Sequence, residues 1–154
     1  VYGCSTIYHR VSEINLKRKF KVLDHISVFY LILGSYAPVC LITLYDYSGL
    51  LIFFSVLIIA IVGTILKIFY TGRMEMLFLV CYLAMGWFII IDIQTLFEII
   101  NTKAKLLLIA GGISYTVGVL FYAFDKIKFF HSIWHVFVLA GSIFHYSMIL
   151  FYIL

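Results

Sequence analysis

Long apolar runs separated by short polar stretches set the layout of this chain. From about Asp24 to Tyr45, Leu50 to Tyr70, Met74 to Ile99, Leu106 to Phe124 and His131 to Leu154 the sequence is almost wholly apolar. Each run is about twenty residues long, the length that carries an α-helix across a hydrocarbon core. Residues 1 to about 11 read as the tail of one more such run, closed by Arg10. Residues 11–24, with Lys17, Arg18, Lys19 and Lys21, read as a solvated loop. The pattern predicts an all-α integral membrane protein with one partial and five full spans, each antiparallel to the next because the connections are short. The chain starts without a methionine and within a span, so it reads as a fragment of a longer protein, folded as a single transmembrane domain over residues 1–154.

Composition agrees with that reading. Apolar residues make up 65% of the chain and charged residues 12%, with one proline, and the mean hydropathy is +1.14; a soluble domain does not have these values. The net charge of +4 does not point to nucleic acid, because the basic residues fall between spans, where topology accounts for them. Parity sorts the loops onto two sides. One side carries Arg10, Lys17, Arg18, Lys19, Lys21, Lys67, Arg73, Lys126 and Lys128, and the other only Lys103 and Lys105. The basic-rich side is therefore expected to be cytoplasmic, with Leu154 outside and the protein in a plasma or inner membrane. Cys4, Cys40 and Cys81 lie in apolar runs without a repeating spacing and read as buried thiols.

Three features bear on packing. Pro38, in Gly34-Ser35-Tyr36-Ala37-Pro38, cannot donate to the carbonyl of Gly34 and is expected to kink its span. Gly112/Thr116 and Ser114/Gly118 are small pairs four apart, a spacing that lets helices approach closely in lipid. Tyr45, Tyr47, Tyr70, Tyr122 and Trp134 fall near span ends and fit an interfacial aromatic belt.

The chemistry concentrates at one membrane level. Ser5 and His9 close the first helix, Asp24 and His25 open the second, and His131 and His135 open the last. Residues four apart share a helix face, and ionisable groups at membrane depth are expected to face the protein interior with a partner. His145, about 15 Å further along its helix by the helical rise, stands apart from this level. Three imidazoles with a fourth position open form a catalytic rather than a structural zinc arrangement. A carboxylate and a hydroxyl beside that position could hold and deprotonate water. The plainer reading gives each histidine a backbone carbonyl or an interfacial partner; His25 in particular is read as either a supporting or an interfacial residue. Asp92 and Glu98, towards the opposite end, read as interfacial. Phosphate-binding glycine loops, nucleophile elbows and CxxC motifs do not occur in the sequence.

With these residues in place, the chain resembles the hemolysin III branch of the progestin and adiponectin receptor family over its whole length. The resemblance rests on Ser5-Thr6-Ile7-Tyr8-His9, Leu23-Asp24-His25, Gly34-Ser35-Tyr36-Ala37-Pro38, Gly111-Gly112-Ile113-Ser114-Tyr115, and His131-Ser132-Ile133-Trp134-His135 followed by Ala140-Gly141-Ser142. It implies a seven-transmembrane helix bundle of which one helix and the start of the next precede this chain. It also implies zinc held by His9, His131 and His135, with Asp24 and Ser5 as catalytic residues near a bound water. His25 departs from the receptor branch, where an aromatic residue is usual. The wider superfamily includes alkaline ceramidases, so the resemblance implies a hydrolase of membrane lipid amides. The alternatives are a receptor-like or membrane-homeostasis protein with structural zinc, and a lytic or pore protein. A haem bundle fits poorly, because two histidines on one helix face cannot bind one iron from opposite sides.

Overall fold

In a computed structural model, residues 3, 13–70, 74–124 and 127–154 are described. Among the described residues six α-helices are bounded: α1 (Ile14–Pro38), α2 (Gly49–Tyr70), α3 (Glu75–Gly86), α4 (Ile93–Ile99), α5 (Thr102–Ala123) and α6 (Phe130–Tyr152). Among the described residues there is no strand. Five stretches of the described residues are long and apolar enough to cross a membrane: Lys19–Thr43, Gly49–Tyr70, Glu75–Ile99, Thr102–Ala123 and Phe130–Tyr152. These are the five full spans expected from the hydropathy pattern. The expected partial span lies outside the described residues.

Two boundaries differ from the sequence reading. The stretch expected to be a solvated loop is helical from Ile14 onward, so Asp24 and His25 sit nearly three turns inside α1 rather than at its start. Lysine and arginine, which make up much of residues 17–21, are good helix formers. The fourth span is not one helix. It breaks at Trp87 and continues as a 3₁₀ turn, Phe88–Asp92, before α4. Glycine followed by aromatic and β-branched residues weakens helix formation there. The Tyr36 hydroxyl satisfies the freed backbone, donating to the Gly86 carbonyl at 3.1 Å and accepting from the Ile89 amide at 3.0 Å. Pro38 acts differently from a simple kink as well. The five residues after it, Val39–Thr43, form a π-turn closed by the Leu44 amide on the Val39 carbonyl, a way of absorbing the lost hydrogen bond without leaving backbone groups bare in lipid.

Side-chain contacts fix the helix directions. Gly63 on α2 faces Phe29 on α1, and Gly49 faces Cys40 and Leu44, so α1 and α2 run antiparallel. Gly111 meets His145, Gly141 meets Tyr115, and Gly118 meets Trp134 and Phe137, so α5 and α6 are antiparallel too. The small residues that seat α5 on α6 are thus Gly111, Gly118 and Gly141. Gly112, expected to do this, has open space where a Cβ would point and instead lines an internal cavity. Asn101 caps α5 by accepting from the Ala104 amide. At the same membrane end Asp92 accepts hydrogen bonds from Ser48 and Thr95, a staple between the α1–α2 turn and the broken span.

Candidate metal centre

The i, i+4 spacing on α6 brings His131 and His135 onto one face, with their Nε2 atoms 3.2 Å apart. From α1, Asp24 Oδ2 lies 3.7 Å from His131 Nε2 and 3.8 Å from His135 Nε2. The carboxyl is almost fully enclosed, with 1% of its side-chain surface exposed. These three side chains form a group able to hold a metal ion. Separations of 3.2–3.8 Å are short enough for the three side chains to share one ion, whose bonds to nitrogen and oxygen would be about 2.0–2.2 Å. Asp24 Oδ1, also buried, has no hydrogen-bond partner among the described residues. A buried carboxylate so placed is costly unless a cation or a proton donor meets it. The donor set of two imidazoles and one carboxylate suits zinc and related first-row divalent ions.

Aromatic packing holds the imidazoles in place. The Trp134 ring lies 4.3 Å from that of His135, 5.1 Å from that of His131 and 4.6 Å from that of Tyr122, centroid to centroid. Trp134 and Tyr122 are both buried. The interfacial belt therefore loses these two members, which wall the site instead, whereas Tyr45, Tyr47 and Tyr70 are exposed as expected.

Beside the triad lies a charged network that the sequence reading passed over. Lys67, counted there as a loop cation, is completely buried, and its ammonium binds Glu75 Oε2 at 2.5 Å. The same oxygen lies 3.5 Å from His25 Nδ1 and accepts from the Tyr122 hydroxyl at 3.5 Å. That hydroxyl is 3.3 Å from His25 Nε2, and the Tyr82 hydroxyl donates to the His25 carbonyl at 2.9 Å. His25 thus lies outside the triad, buried beside Glu75 and Tyr122. A lysine with apolar neighbours on both sides, Leu66 and Ile68, was the available signal for a buried charge.

One helical turn beyond the triad an apolar cavity of 70 Å³ opens between α1, α3, α5 and α6, with Val28, Leu31, Leu83, Val119 and Val138 on its walls. Along α1 it runs from Val28 to Tyr36, about 12 Å by the helical rise. It shares Leu31, Ser35, Tyr115 and His145 with a wider groove between α1 and α6. His145 stands apart from the triad, as expected, its ring packed edge-on to Tyr115. Ser5, His9 and Cys4 lie outside the described residues. Cys40 is buried and Cys81 partly so.

Comparison with known proteins bears on the same residues. A family model described as "Haemolysin-III related" matches residues 1–146. Hemolysin-3 of Bacillus cereus is 40% identical over 154 residues, all of this chain and 70% of that protein. The Hemolysin-3 homolog of Bacillus subtilis (strain 168) is 37% identical over 152 residues, 99% of this chain and 71% of that protein. The human monocyte to macrophage differentiation factor is 30% identical over 152 residues, 94% of this chain and 62% of that protein. No solved structure gives a significant match. The family match takes in both helices that build the triad and every membrane span but the end of the last, and on that ground the chain belongs to the haemolysin-III related family.

Proposed function

We propose that this chain is the zinc-holding part of a membrane hydrolase that cleaves lipid amide bonds. The observation that carries the reading is the convergence of Asp24, His131 and His135, one helical turn from an apolar cavity whose wall includes Val28 and Trp134. His131 and His135 would hold the ion, with Asp24 facing it and His9 as the further imidazole. Bound there, zinc would supply Lewis acidity, polarising a carbonyl and acidifying water. Asp24 Oδ1, buried and without a partner among the described residues, takes the water's proton and returns it to the departing amine. Ser5 orients the water or donates to the developing oxyanion. Val28, Leu31, Val119 and Val138 line a slot that matches an acyl chain and keeps bulk water from it. The groove between α1 and α6 lets a lipid arrive sideways from the bilayer. The predominantly apolar lining favours a lipid over a hydrated ion path, and so supports the hydrolase above a pore.

A second reading keeps the zinc as a pin. The triad links α1 to α6 directly, and a receptor-like or membrane-homeostasis protein would need no more than that. The basic bias supports placing this end of the bundle in the cytoplasm. Without the buried Lys67 the split is still eight to two. One experiment separates the hydrolase from the pin. Zinc-loaded protein and its Asp24→Asn variant are incubated with a panel of ceramides and N-acyl lipids, and freed fatty acid is measured. The hydrolase reading expects release to fall on the order of a hundredfold or more in the variant. No release above the Asp24→Asn background across the panel supports the pin.

A further inference from the structure

We propose that Glu75, neutralised by Lys67, is a positioning residue of the metal centre, acting on Asp24 through His25 and on His131 through Tyr122. This rests on the metal reading above but not on hydrolysis. A single carboxylate oxygen, Glu75 Oε2, is approached from three helices: by Lys67 of α2, His25 of α1 and Tyr122 of α5. His25 directly follows Asp24; its Nδ1 lies 3.5 Å from Glu75 without a hydrogen bond, and its Nε2 meets the Tyr122 hydroxyl that Glu75 accepts from, so a ring held in this way bears on the rotation of α1 and on the direction of the Asp24 carboxylate. Tyr122 reaches the other side of the triad. Its hydroxyl is turned to Glu75 and His25, while its ring packs on Trp134 at 4.6 Å and faces His131 at 6.3 Å. The two helices that supply the triad are thus each one residue away from the same oxygen.

The role of Lys67 follows from its burial. Its ammonium lies against Glu75 and 4.2 Å from the centre of the Phe78 ring; Lys67 is fully buried, whereas the Glu75 side chain is 32% exposed and also lies 3.9 Å from Lys21 through Oε1, so it is the buried ammonium that needs the pair. A pair kept only for stability can be exchanged for apolar residues of similar volume at little cost. A carboxylate kept for position cannot, because partners that orient metal ligands typically control metal affinity by ten- to hundredfold. That difference makes the two roles separable.

The test compares two double variants of the full-length protein, purified in lipid nanodiscs. Lys67→Met with Glu75→Leu removes both charges and the acceptor oxygen. Lys67→Met with Glu75→Gln removes both charges and keeps an acceptor. Zinc affinity is read by competition with a chelator, and the melting temperature is read on the metal-free protein. The proposal expects the Leu variant to lose ten- to hundredfold in zinc affinity while its metal-free melting temperature holds or rises, and the Gln variant to bind within a few fold of the unsubstituted protein. Unchanged affinity in both variants would reduce the pair to a helix staple and overturn the proposal. Equal loss in both, or a loss that comes with a lower metal-free melting temperature, would also overturn it, since general loosening would then explain the effect. Absence of zinc binding by the unsubstituted protein would end the metal reading first, and this proposal with it.

Discussion

Replacing Tyr36 by phenylalanine removes one oxygen and leaves the ring in place. That oxygen holds the broken fourth span together, donating to the Gly86 carbonyl and accepting from the Ile89 amide. Tyr36 is buried and the break falls in the middle of the span Glu75–Ile99, where lipid offers neither backbone group a replacement partner when the hydroxyl goes. Side-chain hydrogen bonds between membrane helices are worth about 0.6 kcal/mol on average and up to about 1.7 kcal/mol each. Two bonds made by one hydroxyl therefore put the expected loss at roughly 1–3 kcal/mol. The assay is reversible unfolding in a graded mixture of mild and denaturing detergents, with Tyr30→Phe, a lipid-facing tyrosine on the same helix, as the control. Amide exchange at Ile89 should quicken in Tyr36→Phe and not in Tyr30→Phe. Equal stability and equal Ile89 exchange in the two variants would refute the claim that this hydroxyl secures the break.

Two further outcomes follow from packing and charge. Gly63→Ala drives a methyl into the Phe29 ring, and Phe29 is fully buried against Tyr82 at 4.6 Å; overpacking of this kind costs about 1–3 kcal/mol, whereas Gly34→Ala, with open space around it, should be neutral or stabilising in the same unfolding assay. A single cysteine introduced at Lys19 should resist an impermeant thiol reagent applied outside intact cells, and one at Lys103 should react, with the native cysteines replaced; the reverse pattern would invert the topology drawn from the basic residues.

Much of the layout was readable because membrane spans obey a simple rule of length and hydropathy, and five of them fall where the apolar runs put them. The ligand pair on α6 was readable for a similar reason, since His131 and His135 meet through local helix geometry alone. Asp24 could be assigned to the same membrane level but not to a contact, because its approach to α6 depends on how distant helices pack. The misplaced features share one cause. A hydropathy pattern records how apolar a stretch is and not which way its polar residues turn, so Lys67 passed as a loop cation and Trp134 and Tyr122 as interfacial anchors. The break at Trp87 escaped for a related reason: its backbone is satisfied by Tyr36, a residue far away in sequence. Gly112 and Gly111 are indistinguishable in sequence, and only the rotation of α5 decides that Gly111 packs on His145.

The claim on which the rest depends is that His131 and His135, with Asp24 against them, hold a metal ion. Metal content per chain, measured on protein purified without added chelator, tests it most directly when read across His135→Ala and His145→Ala. The account predicts about one zinc per chain in the unsubstituted protein and in His145→Ala, and loss of most of it in His135→Ala, since a site of three or four ligands seldom survives removal of one. Zinc absent from the unsubstituted protein, or retained equally by His135→Ala and His145→Ala, would contradict it.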